Sequence, residues 1–174
     1  FACHMPNAGD RRSYDAQILG CLMTGGMSSR LFQEIREKRN LVYSIRGGYN
    51  GGKRYGYNAI FAGMSPKNLN KVKGLIIKEF KKLPKELGEK ELNQAKEQLI
   101  GNSKISREDS LGQALDLLYN ELWSNNAALS YDYEENIKKA KLNDIKSLAK
   151  LSGRYSFIAL IPDDIAKKQE AIAK

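Results

Sequence analysis

The stretch TGGMSSRLFQEIREKRNLVYS, residues 24–44, holds a glycine-rich break, a charged helix and an apolar exit within twenty-one residues. Gly25 and Gly26 interrupt whatever helix precedes them. Ser28 or Ser29 is a candidate N-cap, since a serine oxygen accepts a hydrogen bond from a free N–H of the first turn. The spacing predicts a helix over 29–39, with Leu31, Phe32 and Ile35 on one side. Asn40 then ends it, and Leu41 to Tyr49 alternates like a strand. Two glycines and two serines ahead of a helix suggest a phosphate cradle. A Walker loop, however, needs Gly-Lys-Ser/Thr so that a lysine reaches the terminal phosphates, and GGMSSR lacks it. Arg30 could meet an anion at the helix N-terminus. A tight turn between two helices is the better account.

Outward from that stretch, the pattern is mixed. FACHMP reads as a short strand ended by Pro6, and Asp10 is a candidate N-cap in the loop that follows. Tyr14, Ile18, Leu19, Leu22 and Met23 recur at helical spacing. Residues 55–63 alternate, with Tyr55, Tyr57, Ala59 and Phe61 on one face, and NGGKR before them is hairpin chemistry. Ser65 and Pro66 open a helix carrying Leu69, Val72, Leu75, Ile76 and Phe80. Gly88 to Trp123 is one long helical pattern, expected to bend near Gly101 and Asn102. Two short helices follow, at about 130–140 and 143–151. RYSFIALIP is a closing strand, and 163–173 a final helix. Hairpin strands plus clustered helices predict an α+β fold, with helices packed on one face of a mostly antiparallel sheet.

The 174 residues suit one domain, and 41% apolar content is enough for a real core. No apolar run approaches the roughly 20 residues of a membrane span. FACHMP opens like a strand already under way, so a fragment of a longer two-domain chain is expected. The charge is +9. Its lysines alternate with acids and apolar residues, as in KKLPKELGEKEL, which describes solvated helix faces better than a nucleic-acid stripe. No finger or recognition-helix pattern supports specific nucleic-acid binding. Cys3 and Cys21 make no disulfide framework and read as buried thiols.

Zinc catalysis needs three protein ligands converging on one ion. The chain has one histidine, His4, and neighbours in a strand such as Cys3 and His4 point to opposite faces. No HxxEH or reversed motif is present, so no metal is expected on this chain. A nucleophilic triad has only His4 as its base. Glu134–Glu135 and Asp163–Asp164 sit at helix starts, where acids favour the dipole. Arg36 and Tyr43 are the pair with chemical promise. One sits on the last turn of helix 29–39, the other just inside the next strand. A guanidinium and a phenol at one sheet end can hold a peptide carbonyl or an oxyanion forming on it. The alternative is that Tyr43 joins Leu41 and Ile45 in the core while Arg36 pairs with nearby acids.

On these residues, GGMSSRLFQEIREKRNLVYS resembles the signature of the second domain in the pitrilysin/insulinase family of zinc peptidases, near the mitochondrial processing peptidase branch. A glycine-rich turn, SSRLF, REK and LxYS occur there in this order. LGEKELNQAKEQLIG and FIALIP extend the likeness more weakly. The resemblance implies a single C-terminal substrate-binding domain whose zinc sits in an N-terminal domain or a paralogous subunit, in a homo- or heterodimer, with a peptide substrate between the halves. It also implies that Arg36 and Tyr43, seven apart, bind that peptide and polarise its carbonyl, while Gly25, Gly26, Ser28 and Ser29 form a structural turn. Thr24 and Asn40 stand where glycines are common. A non-catalytic subunit that completes a partner's site is the alternative.

Overall fold

The computed structural model describes residues 1–163; the helix expected at 163–173 lies, beyond its first residue, outside the described residues. Four strands form one antiparallel sheet in the order β2-β3-β1-β4. They are β1 (Ala2–His4), β2 (Ser44–Gly51), β3 (Gly56–Gly63) and β4 (Tyr155–Ser156). β2 and β3 make the expected hairpin, closed by Gly52 N–H donating to the Tyr55 carbonyl at 2.9 Å.

Helix α1 (Ser13–Thr24) is the axle of the fold. Ala16, Ile18, Leu19, Leu22 and Met23 are all buried, so the helix is apolar all round and needs cover on every side. The sheet covers one side; α3 (Glu89–Ser106), α5 (Tyr133–Lys139) and α6 (Leu142–Ala149) cover the others. Asp10 serves its entry, with the carboxylate accepting the Arg12 N–H at 2.9 Å. The helical start falls later than that aspartate suggested. Gly20 is where α1 meets the sheet. A Cβ there would stand 2.9 Å from the Tyr49 backbone nitrogen and 3.1 Å from the Gly48 Cα. The helix can sit this close only without a side chain.

Helix α2 (Leu69–Glu86) follows a 3-10 turn opened by Pro66 and buries Val72, Ile76, Phe80 and Leu83 along one stripe. All these helices lie on one face of the sheet. In β3, Asn58 and Ile60 point inward while Tyr57 and Phe61 point out to the uncovered face.

Two expectations change. The long helix does not bend at Gly101, which lies within α3. It breaks at Arg107–Asp109, and α4 (Ser110–Ser124) starts anew. The Asp109 carboxylate accepts the Gly112 N–H at 3.1 Å as the N-cap. The Arg107 guanidinium holds Asp116 at 2.7 Å, and the Ser130 hydroxyl donates to the same carboxylate at 2.6 Å. Gly112 has no room for a Cβ against the Ser106 carbonyl, whereas Gly101 has open space. The glycine that matters is the one at the close approach. The closing strand is also shorter than RYSFIALIP. Only Tyr155 and Ser156 pair, because β1 offers only Cys3 and Ala2 opposite them. Beyond them burial still alternates, with Phe157, Ala159 and Ile161 half-buried and Ile158 and Leu160 exposed.

Gly20→Ala should cost about 1–3 kcal/mol through the clash with the β2 backbone. Urea unfolding should show a lower midpoint at unchanged slope; an unchanged midpoint would mean that α1 can shift freely.

Asp15, on α1 facing α6, is pushed up to about 6 by burial and by the Asp144 charge. Its unfolded value is near 4. Between these values the native state holds a proton that the unfolded chain has released, so stability falls as pH rises through the window. Asp15→Asn should therefore be more stable than wild type at pH 7, with the gap closing below roughly pH 4. Denaturation curves at both pH values check this.

Candidate functional site

The site begins where α1 ends. Gly25 N–H donates to the Cys21 carbonyl at 2.7 Å and Gly26 N–H to Thr24 at 2.8 Å. Gly26 has φ of 102°, a conformation that side chains resist. A Cβ on Gly25 would lie 2.5 Å from the Cys21 carbonyl oxygen. The turn is clamped from α3, where Gln98 donates to the Gly25 carbonyl and accepts from the Cys21 thiol at 3.4 Å. Burial pushes the thiols of Cys3 and Cys21 up to about 11, so both stay protonated.

Neither serine caps the next helix through its side chain. Ser29 is buried and its hydroxyl donates back to the Gly26 carbonyl at 2.7 Å, while Ser28 is exposed. The hydroxyl serves the glycine turn instead of the helix. Arg30 is not free for an anion either. Its guanidinium forks onto Glu91 through two bonds of 2.6 Å and reaches Glu86 at 3.4 Å. That bidentate pair ties the turn to α3 and to the end of α2.

The helix expected over 29–39 is wound differently. Phe32–Glu37 is a π-helical turn, with the Lys38 N–H reaching the Gln33 carbonyl. Such turns are uncommon and often accompany functional sites. Its exit is widened in the same way. Asn40 N–H donates to Arg36 and Leu41 N–H to Ile35, each bond spanning one residue more than its counterpart in a Schellman cap. Asn40 carries the reversal at φ 48°. Ile35 and Leu31 remain in the core, as the stripe requires, and Leu41 and Val42 follow them there.

Tyr43 does not. It is 71% exposed, which removes the core alternative. Its N–H donates to the Gly63 carbonyl at 3.0 Å, one residue out of the Ser44–Gly63 register, which ties the segment to the end of the β2–β3 ladder. Its ring lies against Gly63, where a Cβ would meet it at 2.5 Å. Among the described residues the hydroxyl makes one hydrogen bond, a long one of 3.4 Å to the Met64 carbonyl. Arg36 is exposed, with its guanidinium carbon 5.0 Å from the centre of the Phe32 ring. Among the described residues it makes no ion pair. Of the two acids in the turn, Glu34 is taken by Lys38 at 3.3 Å and Arg39 at 2.7 Å, and Glu37 makes no ion pair among the described residues. The result is a cation and a phenol on one braced segment, each with donors to spare.

The other candidates are accounted for locally. Glu134 binds Lys138 and Lys104, and Glu135 binds Lys139. His4 is exposed on β1 while Cys3 beside it is buried. Among the described residues no group of three or more His, Cys, Asp or Glu could hold a metal ion. The side chains present do not fit a zinc site. No described helix is long and apolar enough to cross a membrane.

Sequence reasoning missed the π turn, because Leu31 and Ile35 satisfy either winding. It also missed the groove beside Tyr43, of about 680 Å³, lined by Phe61, Gly63 and Met64 on one side and Phe157, Ile158 and Leu160 on the other. The signal available was the unbroken apolar run of FIALI.

The fold agrees with the relatives. The chain belongs to the family described as the peptidase M16 inactive domain, whose model matches residues 1–99. It is 33% identical over 130 residues to an uncharacterized zinc protease of Bacillus subtilis, covering 66% of this chain and 32% of that protein. A Streptomyces coelicolor protein, also called an uncharacterized zinc protease, is 34% identical over 58% of this chain and 22% of its own length. The chain thus spans a third or less of these relatives. The crystal structure of a protease from Helicobacter pylori shares the fold, with a TM-score of 0.77 at 21% identity over 86% of this chain and 36% of that one.

Asn40 holds a left-handed conformation that costs most side chains about 1–2 kcal/mol. Asn40→Ala should lose about 1 kcal/mol while Asn40→Gly stays near wild type. Thermal melts of the two variants check the order; equal losses would show that the Asn side chain rather than φ matters.

Proposed function

We propose that this domain is the substrate-binding half of a zinc endopeptidase, and that Arg36 and Tyr43 grip the peptide at the scissile carbonyl. In this reading the metal belongs to another domain, on the same chain or on a paralogous subunit. The observation that supports it most is the exposed phenol of Tyr43, whose hydroxyl makes only a long bond among the described residues, on the segment that also carries Arg36, which makes no ion pair among them. An exposed donor held rigidly needs no reorganisation to serve a bound group.

The chemistry asked of the pair is simple. The Tyr43 hydroxyl and the Arg36 N–H groups donate to the carbonyl oxygen of a bound peptide. As that carbonyl is attacked, its oxygen gains negative charge and the bonds strengthen. Such donors help the transition state more than the ground state. Arginine suits the position because its charge persists at any working pH. Stacking on Phe32 restricts its swing.

In the intact protein with its partner domain, Tyr43→Phe should lower turnover on the order of a hundredfold. Melting temperature should barely move, since the lost hydroxyl gives up only the 3.4 Å bond to Met64. Arg36→Ala should do likewise and also weaken binding of an uncleaved peptide. The double variant should be little worse than the worse single one, because two groups acting on one oxygen are not additive. Normal cleavage by Tyr43→Phe would make the pair structural.

A further inference from the structure

Helix α4 is mounted inside out. Its sequence, SLGQALDLLYNELWS, places Leu111, Leu115, Leu118 and Leu122 on one stripe and turns Gly112, Asp116 and Asn120 away from it. The polar stripe is the one that faces the domain. Asp116 is held there by Arg107 at 2.7 Å and by the Ser130 hydroxyl at 2.6 Å, and the Asn120 amide donates to the same carboxylate at 3.1 Å. Gly112 packs on the Ser106 carbonyl, where a Cβ would not fit. The four leucines point away and are between 37% and 63% exposed, with Tyr119 exposed beside them. Among the described elements α4 packs chiefly on the 3-10 turn Ala127–Ser130, and none of its residues is buried. Leucines outward and an aspartate inward reverse the way a free surface helix is laid down.

We propose that this stripe is an interface between two copies of this chain, in which two α4 helices pair antiparallel about a two-fold axis passing between Leu115 and Leu118. The spacing selects a like helix. Steps of four, three and four residues make the leucine seam that packs into another such seam. Antiparallel pairing sets Leu115 beside Leu118 of the second copy and Leu111 beside Leu122, so every leucine is covered.

Charge selects the same occupant. The chain carries +9, yet α4 holds no lysine or arginine. Of its two acids, Asp116 is spent inside the domain, and Glu121 falls opposite Ala114 of the second copy. Two copies of a basic protein therefore meet here without like charges face to face. The same lack of basic residues disfavours a lipid surface, since helices that lie on one carry lysine and arginine on their polar face. The area is also sufficient. The leucines and Tyr119 expose roughly 400–500 Å², as much as the largest patch on a typical monomer. Doubled across a two-fold axis and joined by its flanks, the stripe clears the roughly 1,000 Å² that a specific interface needs. The pairing does not rest on the role proposed for Arg36 and Tyr43.

The test uses the intact protein. Sedimentation at micromolar concentration should show a dimer. Leu118→Glu puts a charge into the seam from both copies, so association should weaken at least roughly a hundredfold. At a dilution where both proteins are monomeric its melting temperature should match wild type, because Leu118 is exposed within one copy. Cross-linking gives a readout that does not depend on that variant. Packed helices run about 8–10 Å apart, within reach of a short bismaleimide. Leu111→Cys mixed with Leu122→Cys should couple position 111 of one copy to position 122 of the other, as found by peptide mapping. Either variant alone should stay uncoupled, because its two cysteines lie about 16 Å apart along the helices. A monomeric wild type, a dimer that survives Leu118→Glu, or coupling within either variant alone would overturn the proposal. So would a wild type that floats with phosphatidylcholine vesicles through Leu118 in place of dimerising.

Discussion

The close contact of α1 with β2 at Gly20 is the constraint from which the rest follows. A helix apolar on every side cannot stand at a surface. It must be seated against the sheet and roofed by other helices. Seating it at Gly20 brings backbone against backbone, and the buried Asn58 amide donates to the Ala16 carbonyl at 3.2 Å across the same contact. With α1 so placed, its C-terminal end emerges at the rim of the sheet. Gly25 and Gly26 then turn the chain toward the start of β2. The Arg30–Glu91 fork and the Gln98 clamp fix that turn to α3. Arg36 and Tyr43 inherit their placement from this sequence of contacts.

The parts legible from residues alone are those decided within one element. The hairpin, α1, α2 and the one-sided layering follow from period, turn chemistry and caps. The pair seven residues apart stood out because a cation and a phenol flanked a break. What was not legible depends on neighbours. The π turn at Phe32–Glu37 keeps Leu31 and Ile35 inward as an α-helix would, so apolar spacing is silent about it. The long helix breaks at Asp109 rather than Gly101 because Arg107, Asp116 and Ser130 converge from separate elements. The exposure of Tyr43 depends on Gly63, a residue twenty positions away on the next strand. The length of β4 depends on what β1 presents opposite it, which is Cys3 and Ala2 alone.

The net charge of +9 has a modest structural meaning. Several lysines are spent locally at helical spacing, as in Lys138 with Glu134, Lys139 with Glu135 and Lys38 with Glu34. Exposed pairs of this kind contribute little to stability. At the π turn only Glu34 is occupied in this way, while Glu37 makes no ion pair among the described residues. Glu34, held by Lys38 and Arg39, does not neutralise Arg36.

That free guanidinium stands on a different footing from the buried groups around it. Arg30, mostly buried, has a bidentate carboxylate, as a desolvated charge requires. Arg36 is exposed and needs no such partner, and its guanidinium lies over the face of Phe32. Two arginines six residues apart therefore do opposite things: one locks the turn, the other is held out from it. Tyr43 repeats the contrast with Tyr49, whose hydroxyl donates to the Pro6 carbonyl at 2.8 Å within the fold. A phenol that braces the structure is pinned by a short bond at its tip. Tyr43 is pinned through its backbone and the flat of its ring, which leaves its hydroxyl available to a group the domain does not itself supply.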